Sequence, residues 1–251
     1  GKSRYEKTPD DKDLALIARI ESMPIPAALP TNRFPIEDMY HGSRIAPKGF
    51  TNVHHFFLAR AGQAMGRLWE KALTETDVRV RASLLFMVEQ ALWTASLLNR
   101  YRPTGFSQVN QCRTGVYYVA SQHAEGSPWY ILDGKLDRLG KTFQSFKTTH
   151  NAAVSTGTAA GLALHKDSID YIFTDPPFGE NIYYADLNFL VESWHRVTTD
   201  AQPEAIIDRF KNKALPEYQH LMQRCFAEYH RVLKPGRWMT VVFSNSKASV
   251  W

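Results

Sequence analysis

Cysteine is scarce. Two residues, Cys112 and Cys225, lie far apart in a chain of 251, and neither sits in a ligand pattern. That excludes a disulfide framework, points to no zinc site, and fits a reducing, cytoplasmic compartment. Long apolar runs are missing too. No stretch approaches the roughly 18 apolar residues that a membrane span needs. The opening GKSRYEKTPDDKD is charged and polar, so no signal peptide is expected. Fourteen glycines are present but scattered, with no Gly-x-Gly-x-x-Gly turn among them. His54 and His55 are adjacent, a spacing at which helical side chains point apart, so capping or surface roles are expected rather than a metal pair. Neither sign of charge dominates. Thirty Lys and Arg against 25 Asp and Glu leave a formal charge of +5, compatible with a polyanion partner but not diagnostic of one. Apolar residues are plentiful at 44%, enough for a full core.

The most informative stretch is 170–184, DYIFTDPPFGENIYY. Tyr171, Ile172 and Phe173 form a short apolar run of β formers, which predicts a buried strand in the middle of a sheet. Pro176 ends it, because proline has no N–H for a ladder and drives Asp175 into an extended conformation. Pro177 stiffens the next step and Gly179 lets the chain turn away. Asp175 and Phe178 are therefore expected on a rigid ledge at the strand's carboxyl end, where open α/β sheets bind ligands. Such a ledge suits an exocyclic amine on a nucleobase, a poor nucleophile because its lone pair is delocalised. The Asp175 carboxylate and the Pro176 carbonyl would each accept one amino N–H and stabilise the positive charge that develops on attack. Phe178 would offer a face for a base taken out of its stack.

Asp175-Pro176-Pro177-Phe178 resembles the Asp-Pro-Pro-Tyr/Phe motif of S-adenosylmethionine-dependent amino-methyltransferases, adenine-N6 DNA methylases above all. Tyr184-Ala185-Asp186-Leu187 with the helix through Trp194, and Arg231-Val232-Leu233-Lys234-Pro235-Gly236 with the strand 238–243, are similar to a subgroup of bacterial DNA methylases. The likeness covers 150–251 well and the earlier half loosely.

The rest of the chain divides by pattern. Residues 1–50 form a proline-rich lead-in: a short helix at 14–22, then five prolines between 23 and 50 that suggest a segment laid over a surface. Arg33, Arg44 and Lys48 there read as solvated rather than phosphate-bound. Residues 51–142 read as a helical insertion. Its two helices, 52–74 and 78–100, form an antiparallel hairpin. The first has a face of Ala59, Ala61, Ala64, Met65, Leu68 and Leu73; the second has Val80, Leu84, Val88 and Leu92, widened by Leu85, Trp93 and Leu97. The loop 100–113 sets Arg100, Arg102 and Arg113 beside Tyr101 and Phe106, which suits a nucleic-acid strand, although a polar loop is the plainer reading. Strands at 115–119 and 129–132 would make a small β-hairpin, followed by a short exposed helix at 133–142. From 143 the pattern is α/β, with a strand at 152–155, the central strand, a helix at 186–197, a polar mobile connection at 198–213, a helix opened by Pro216 and a buried strand at 238–243. Cys225 falls on the core face of that last helix, and Lys234-Pro235-Gly236 is expected to stop it. The fold class expected is α/β: a partial Rossmann-like methyltransferase sheet, its catalytic part at 143–251, with a helical hairpin and a small β-hairpin inserted.

What the resemblance implies is a DNA methyltransferase acting on adenine N6, with RNA guanine-N2 methylation or a non-catalytic nucleic-acid-binding module as alternatives. Asp175, Pro176, Pro177 and Phe178 would be catalytic, and Thr174 and Asp175 would touch the cofactor. Tyr183 and Tyr184 would flank the base, Asn245 and Lys247 would face base or cofactor from the same sheet edge, and Arg209 lies on a connection that is either solvated or in contact with DNA. S-adenosylmethionine is the implied cofactor, yet its glycine-rich turn and ribose-binding acid are not found. The chain is therefore expected to be a fragment of a longer methylase, with incomplete sheet edges open to self-association. DNA is the implied partner, with neither membrane nor metal.

Overall fold

The computed structural model describes residues 7–40, 42–101, 117–145 and 152–247. Cys112, Arg102, Phe106 and Arg113 lie outside the described residues. The chain is mixed α/β and divides into two units. The first takes the described residues among 1–34, 44–146 and 190–197; the second takes those among 35–43, 147–189 and 198–251. The change expected at 143 falls close to one of these boundaries. The lead-in 1–50, by contrast, is shared between the units, and 190–197 falls in the first unit.

The first unit is helical. Helix α1, Asp11–Glu21, begins at a reciprocal cap between Asp10 and Asp13 and buries none of its residues. After it the proline-rich run supplies core rather than cover: Ala28, Leu29 and Phe34 are buried. A single turn, α2 (Gly42–Ile45), begins in the second unit's stretch 35–43 and ends in the first unit. His55 caps a 3₁₀ turn at Val53–Phe56, its ring Nδ1 accepting from the backbone of Thr51 and Asn52 at 3.3 Å each.

Helices α3 (Ala59–Leu73) and α4 (Val78–Ala95) pack on one another across the turn that Asp77 caps. The face α3 buries shares only Ala61 and Met65 with the expected one. It runs through Ala61, Gly62, Met65, Gly66, Trp69 and Ala72, and leaves Leu73 exposed. Pro26 and Leu29 lie so close that a Cβ on Gly66 would come 2.6 Å from Pro26 and one on Gly62 3.0 Å from Leu29. The glycine side of the helix is thus turned to the proline-rich run. On α4 the stripe holds in its second half, at Val88, Leu92 and Trp93, while Val80 is exposed.

The expected β-hairpin is absent. Residues 129–132 belong to helix α5, Pro128–Ser145, which packs on α4. Pro128 suits a helix's first turn, and Trp129 and Tyr130 point to solvent while Leu132 is buried. Residues 117–119 form no strand. Two aromatic clusters fill this unit, Phe34–Phe56–Tyr117 and Phe57–Trp69–Trp194, with centroids 5.1–5.6 Å apart.

The second unit holds a parallel two-stranded sheet, the one sheet among the described residues. Strand β1 is Ile169–Thr174. Helix α6, Tyr184–His195, follows it and runs on into the first unit. Helix α7, Leu215–Val232, has Pro216 in its first turn and leads directly into β2, Leu233–Val241. The parallel pairing is as expected; the burial is not. Tyr171 is 55% exposed, Phe173 66% and Trp238 78%, so neither strand is a core strand. Residues 152–155 are exposed coil rather than a strand. The helix ends at Val232, just before Lys234-Pro235-Gly236, and that triplet then makes a bulge inside β2. Lys234 to Arg237 face Asp170 alone, and Gly236 takes φ +73° to do it. On α7 only Tyr218 and Val232 are fully buried, so Cys225 is a half-buried residue rather than a core one. Among the described residues no helix is long and apolar enough to cross a membrane.

Candidate functional site

The chain leaves β1 at Thr174, whose carbonyl still accepts from Val242 N–H at 2.9 Å. The Thr174 hydroxyl meets the Tyr229 hydroxyl at 3.4 Å, so it is engaged by α7. Then comes the ledge. Pro176, Pro177 and Phe178 are half-buried, and Asp175 is exposed. The Pro177 carbonyl accepts from the Tyr218 hydroxyl at 2.7 Å, and the Gly179 N–H is bonded to the same phenol oxygen. The Phe178 carbonyl accepts from Asn245 Nδ2 at 2.6 Å, and the Phe178 ring meets Phe243 in a T-shaped contact with centroids 5.4 Å apart. Gly179 turns the chain at φ +83°, and its carbonyl accepts from Ile207 N–H at 3.3 Å.

The segment is thus tied down on both sides of Asp175, while among the described residues the Asp175 carboxylate and the Pro176 carbonyl make no hydrogen bond or ion pair. Tyr184 is close enough to Asp175 for the carboxylate to raise its phenol pKa, after the larger effect of burial. Asn245 and Lys247 lie next to the ledge. Lys247 pairs with Glu180, and its N–H donates to Asn245 Oδ1 at 2.7 Å.

Beside the ledge lies an open hollow of about 910 Å³, lined in part by Tyr40, Glu180, Asn181, Tyr183, Arg209 and Asn212. Tyr183 is not a free ring. It is 9% exposed and stacked on Tyr40, centroids 4.2 Å apart and planes 12° from parallel; burial raises its phenol well above the usual range. Tyr184, 40% exposed, is the more available of the two. Arg209 is exposed and lies over the Phe210 ring, 4.9 Å from its centroid.

The connection 198–213 is polar, as expected, but is laced by internal hydrogen bonds. Asp208 and Lys213 pair as an antiparallel bridge. Lys211 donates to Asp186 at 2.7 Å and to Asp208 at 2.8 Å, and both carboxylates are buried. Lys213 is 5% exposed and gives its ammonium to the carbonyls of Ala201, Gln202 and Glu204. Burial raises the Asp186 carboxyl despite Lys211. Burial pushes Lys211 down, but its bonds to Asp186 and Asp208 carry it above the ordinary lysine value. Lys213 is lowered, burial outweighing Glu204 and Asp208. The Tyr40 N–H completes the cluster by donating to Asp186 at 3.0 Å. Sequence reasoning missed this cluster because Tyr40 comes from the lead-in, more than a hundred residues away. The alternation of Lys211 and Lys213 with Asp208 was the one local signal.

The described residues do not form a cradle for S-adenosylmethionine. No strand precedes β1 in the sheet, and 152–157 is exposed coil. A Cβ on Gly157 or Gly161 would meet nothing within 4 Å, so neither glycine serves a close backbone approach. Among the described residues no group of acidic, histidine or cysteine side chains is arranged to hold a metal. Compared with known proteins, the chain matches no family, no curated protein and no solved structure.

Proposed function

We propose that residues 174–178 are the amine-binding ledge of a nucleic-acid amino-methyltransferase of Rossmann-like type, with adenine N6 of DNA as its target. The observation that carries this reading is the selective freedom of the ledge. Its neighbours Thr174, Pro177, Phe178 and Gly179 are each bonded through the main chain, while Asp175 and the Pro176 carbonyl, the two acceptors an amine needs, are left unengaged. An amino group donating to both would be held with its nitrogen pyramidal and its developing positive charge stabilised. The base would lie on Phe178 with Tyr184 beside it. Extrusion costs a few kcal/mol, offset by stacking and those two hydrogen bonds. S-adenosylmethionine is the methyl donor the motif implies, and Thr174 and Asp175 are the residues that would lie against it.

The second reading is a nucleic-acid-binding module without activity. One experiment separates the two: transfer of labelled methyl from S-adenosylmethionine to DNA and to RNA, paired with binding to an adenine-containing single strand. The expected result is transfer to DNA, reduced at least ~10²-fold by Asp175→Ala. Phe178→Ala should weaken strand binding by about 1–3 kcal/mol. Transfer that survives Asp175→Ala removes the catalytic assignment. Transfer to RNA alone moves the target to guanine N2. Binding without any transfer selects the inert module.

A further inference from the structure

Lys48 is expected from the sequence to be a solvated lysine, yet the fold of the first unit holds it in place. It ends a 3₁₀ turn, Ala46–Lys48. Buried Ile45 precedes that turn, and Phe50 beyond it packs on Phe56 with centroids 4.8 Å apart. Lys48 Nζ donates to the Val119 carbonyl at 2.9 Å and lies 5.4 Å from the centroid of the Tyr118 ring. Arg100 comes to the same ring, its guanidinium carbon 5.6 Å from the centroid. Arg100 and Tyr118 are each fixed by a buried neighbour. Asn99 is fully buried, its side-chain amide donating to the carbonyls of Thr94 and Ala124 at 3.0 and 2.7 Å, and Arg100 pairs with His123 in an antiparallel bridge. Tyr117 is 1% exposed against Phe34 and Phe56, while Tyr118 is left 51% exposed. One half-exposed ring thus gathers two cations. They repel each other, and an anion set between them relieves that repulsion. Among the described residues Lys48 has no carboxylate partner. The three stretches that build the cluster, 44–50, 96–101 and 117–123, contain no Asp or Glu, and add Arg44 as a further cation.

We propose that this cluster binds a single-stranded nucleic acid, with Lys48 and Arg100 on phosphate and a base stacked on Tyr101. The Val119 carbonyl takes one ammonium N–H of Lys48 and leaves the others for phosphate oxygens. A guanidinium can lie on an aromatic face and still turn its N–H edge to phosphate, which suits Arg100 on Tyr118. Tyr101, the next residue after Arg100, is 51% exposed, and its side chain has no partner among the described residues. An open aromatic ring beside phosphate-binding cations is the platform on which an unpaired base stacks. A duplex keeps its bases stacked within itself and gives the ring nothing, and an acidic peptide has charge without flat faces. The proposal uses residues of the first unit alone and is independent of the methylase reading, which concerns the second.

The test is the fluorescence anisotropy of a labelled oligothymidylate titrated with the unaltered protein at several salt concentrations. Thymine has no exocyclic amine, so this probe gives the Asp175 ledge nothing to hold and leaves the methylase reading untouched. Binding should saturate and weaken as salt rises. Lys48→Gln should flatten the slope of log affinity against log salt by about 0.7, and Lys48→Gln with Arg100→Gln by about 1.4. Tyr101→Ala should weaken binding at least about fivefold and leave that slope as it was. A duplex of the same length and polyglutamate should both bind more weakly than the strand. Lys48 is exposed, so if the half-buried Arg100 does not tolerate exchange, Lys48→Gln decides alone. An unchanged salt slope in Lys48→Gln overturns the proposal, as does a duplex or polyglutamate binding as tightly as the strand.

Discussion

Tyr218 shows how much of the ledge depends on one side chain. Its hydroxyl is shared between the Pro177 carbonyl and the Gly179 N–H, the two groups on either side of Phe178. Tyr218→Phe keeps the buried ring and deletes only that oxygen. It should cost about 1 kcal/mol in a urea midpoint, with a larger relative loss of strand binding or methyl transfer as Phe178 loosens. Lys211 makes the opposite case. Removing it leaves Asp186 and Asp208 as two buried carboxylates without their cation, so Lys211→Met should cost about 3–5 kcal/mol. Adding Asp186→Asn to that variant should recover part of the loss in a double-mutant cycle, and no recovery would mean that the pair is not coupled.

Glu228 gives the pH dependence. It accepts from Leu162 N–H at 2.8 Å and pairs with Arg231, which hold its carboxyl down at about 2 against an ordinary 4.5. A carboxyl depressed by folding stabilises the fold above its unfolded pKa and loses that contribution as the pH falls through the folded one. The part of the acid-induced fall in stability that lies between pH 4.5 and 2 should therefore shrink in Glu228→Gln, read as urea midpoint against pH.

At the scale of elements, α3 was legible as a helix but not in its orientation. The periodic apolar residues favoured a face with Leu68 and Leu73, whereas the face buried is the one with Gly62 and Gly66, because Pro26 comes to lie on it. A glycine's value as a gap is invisible until the neighbour that fills the gap is known. Gly66→Ala should be net destabilising by about 1–3 kcal/mol. The new Cβ meets a proline ring that cannot rotate aside, and this outweighs the gain in helix propensity, read as a lowered melting temperature. The ledge was legible because its signals are covalent: two prolines and a glycine dictate backbone conformation without help from distant residues. The stretch 129–132 was misread as a strand because aromatic and apolar residues suit strand and helix alike over four positions, and Pro128 as a helix start was the deciding cue. The bulge at Lys234–Arg237 was not legible, since a Pro-Gly pair just after a helix marks the helix end, as it does here, and says nothing of the strand pairing that follows.

At the scale of the whole molecule, the sheet is the unfinished part. Parallel sheets ordinarily have both faces covered. Here Thr174 turns its hydroxyl to Tyr229 on α7, and Ile172, on the same face, is half-buried. The other face carries Tyr171, Phe173 and Trp238, paired across the strands as Tyr171 with Trp238 and Phe173 with Thr240, and all three rings are more than half exposed. An apolar face of this kind favours association over solution. Trp238, 78% exposed, makes the cleanest probe because so little of it is packed. Trp238→Lys should leave stability within about 0.5 kcal/mol of the parent while reducing the binding of an apolar dye. It should also raise the concentration up to which sedimentation gives the mass of one chain. Unfolding of that variant would mean that the ring is buried in solution, and an unchanged sedimentation profile would mean that the exposed face takes no part in self-association.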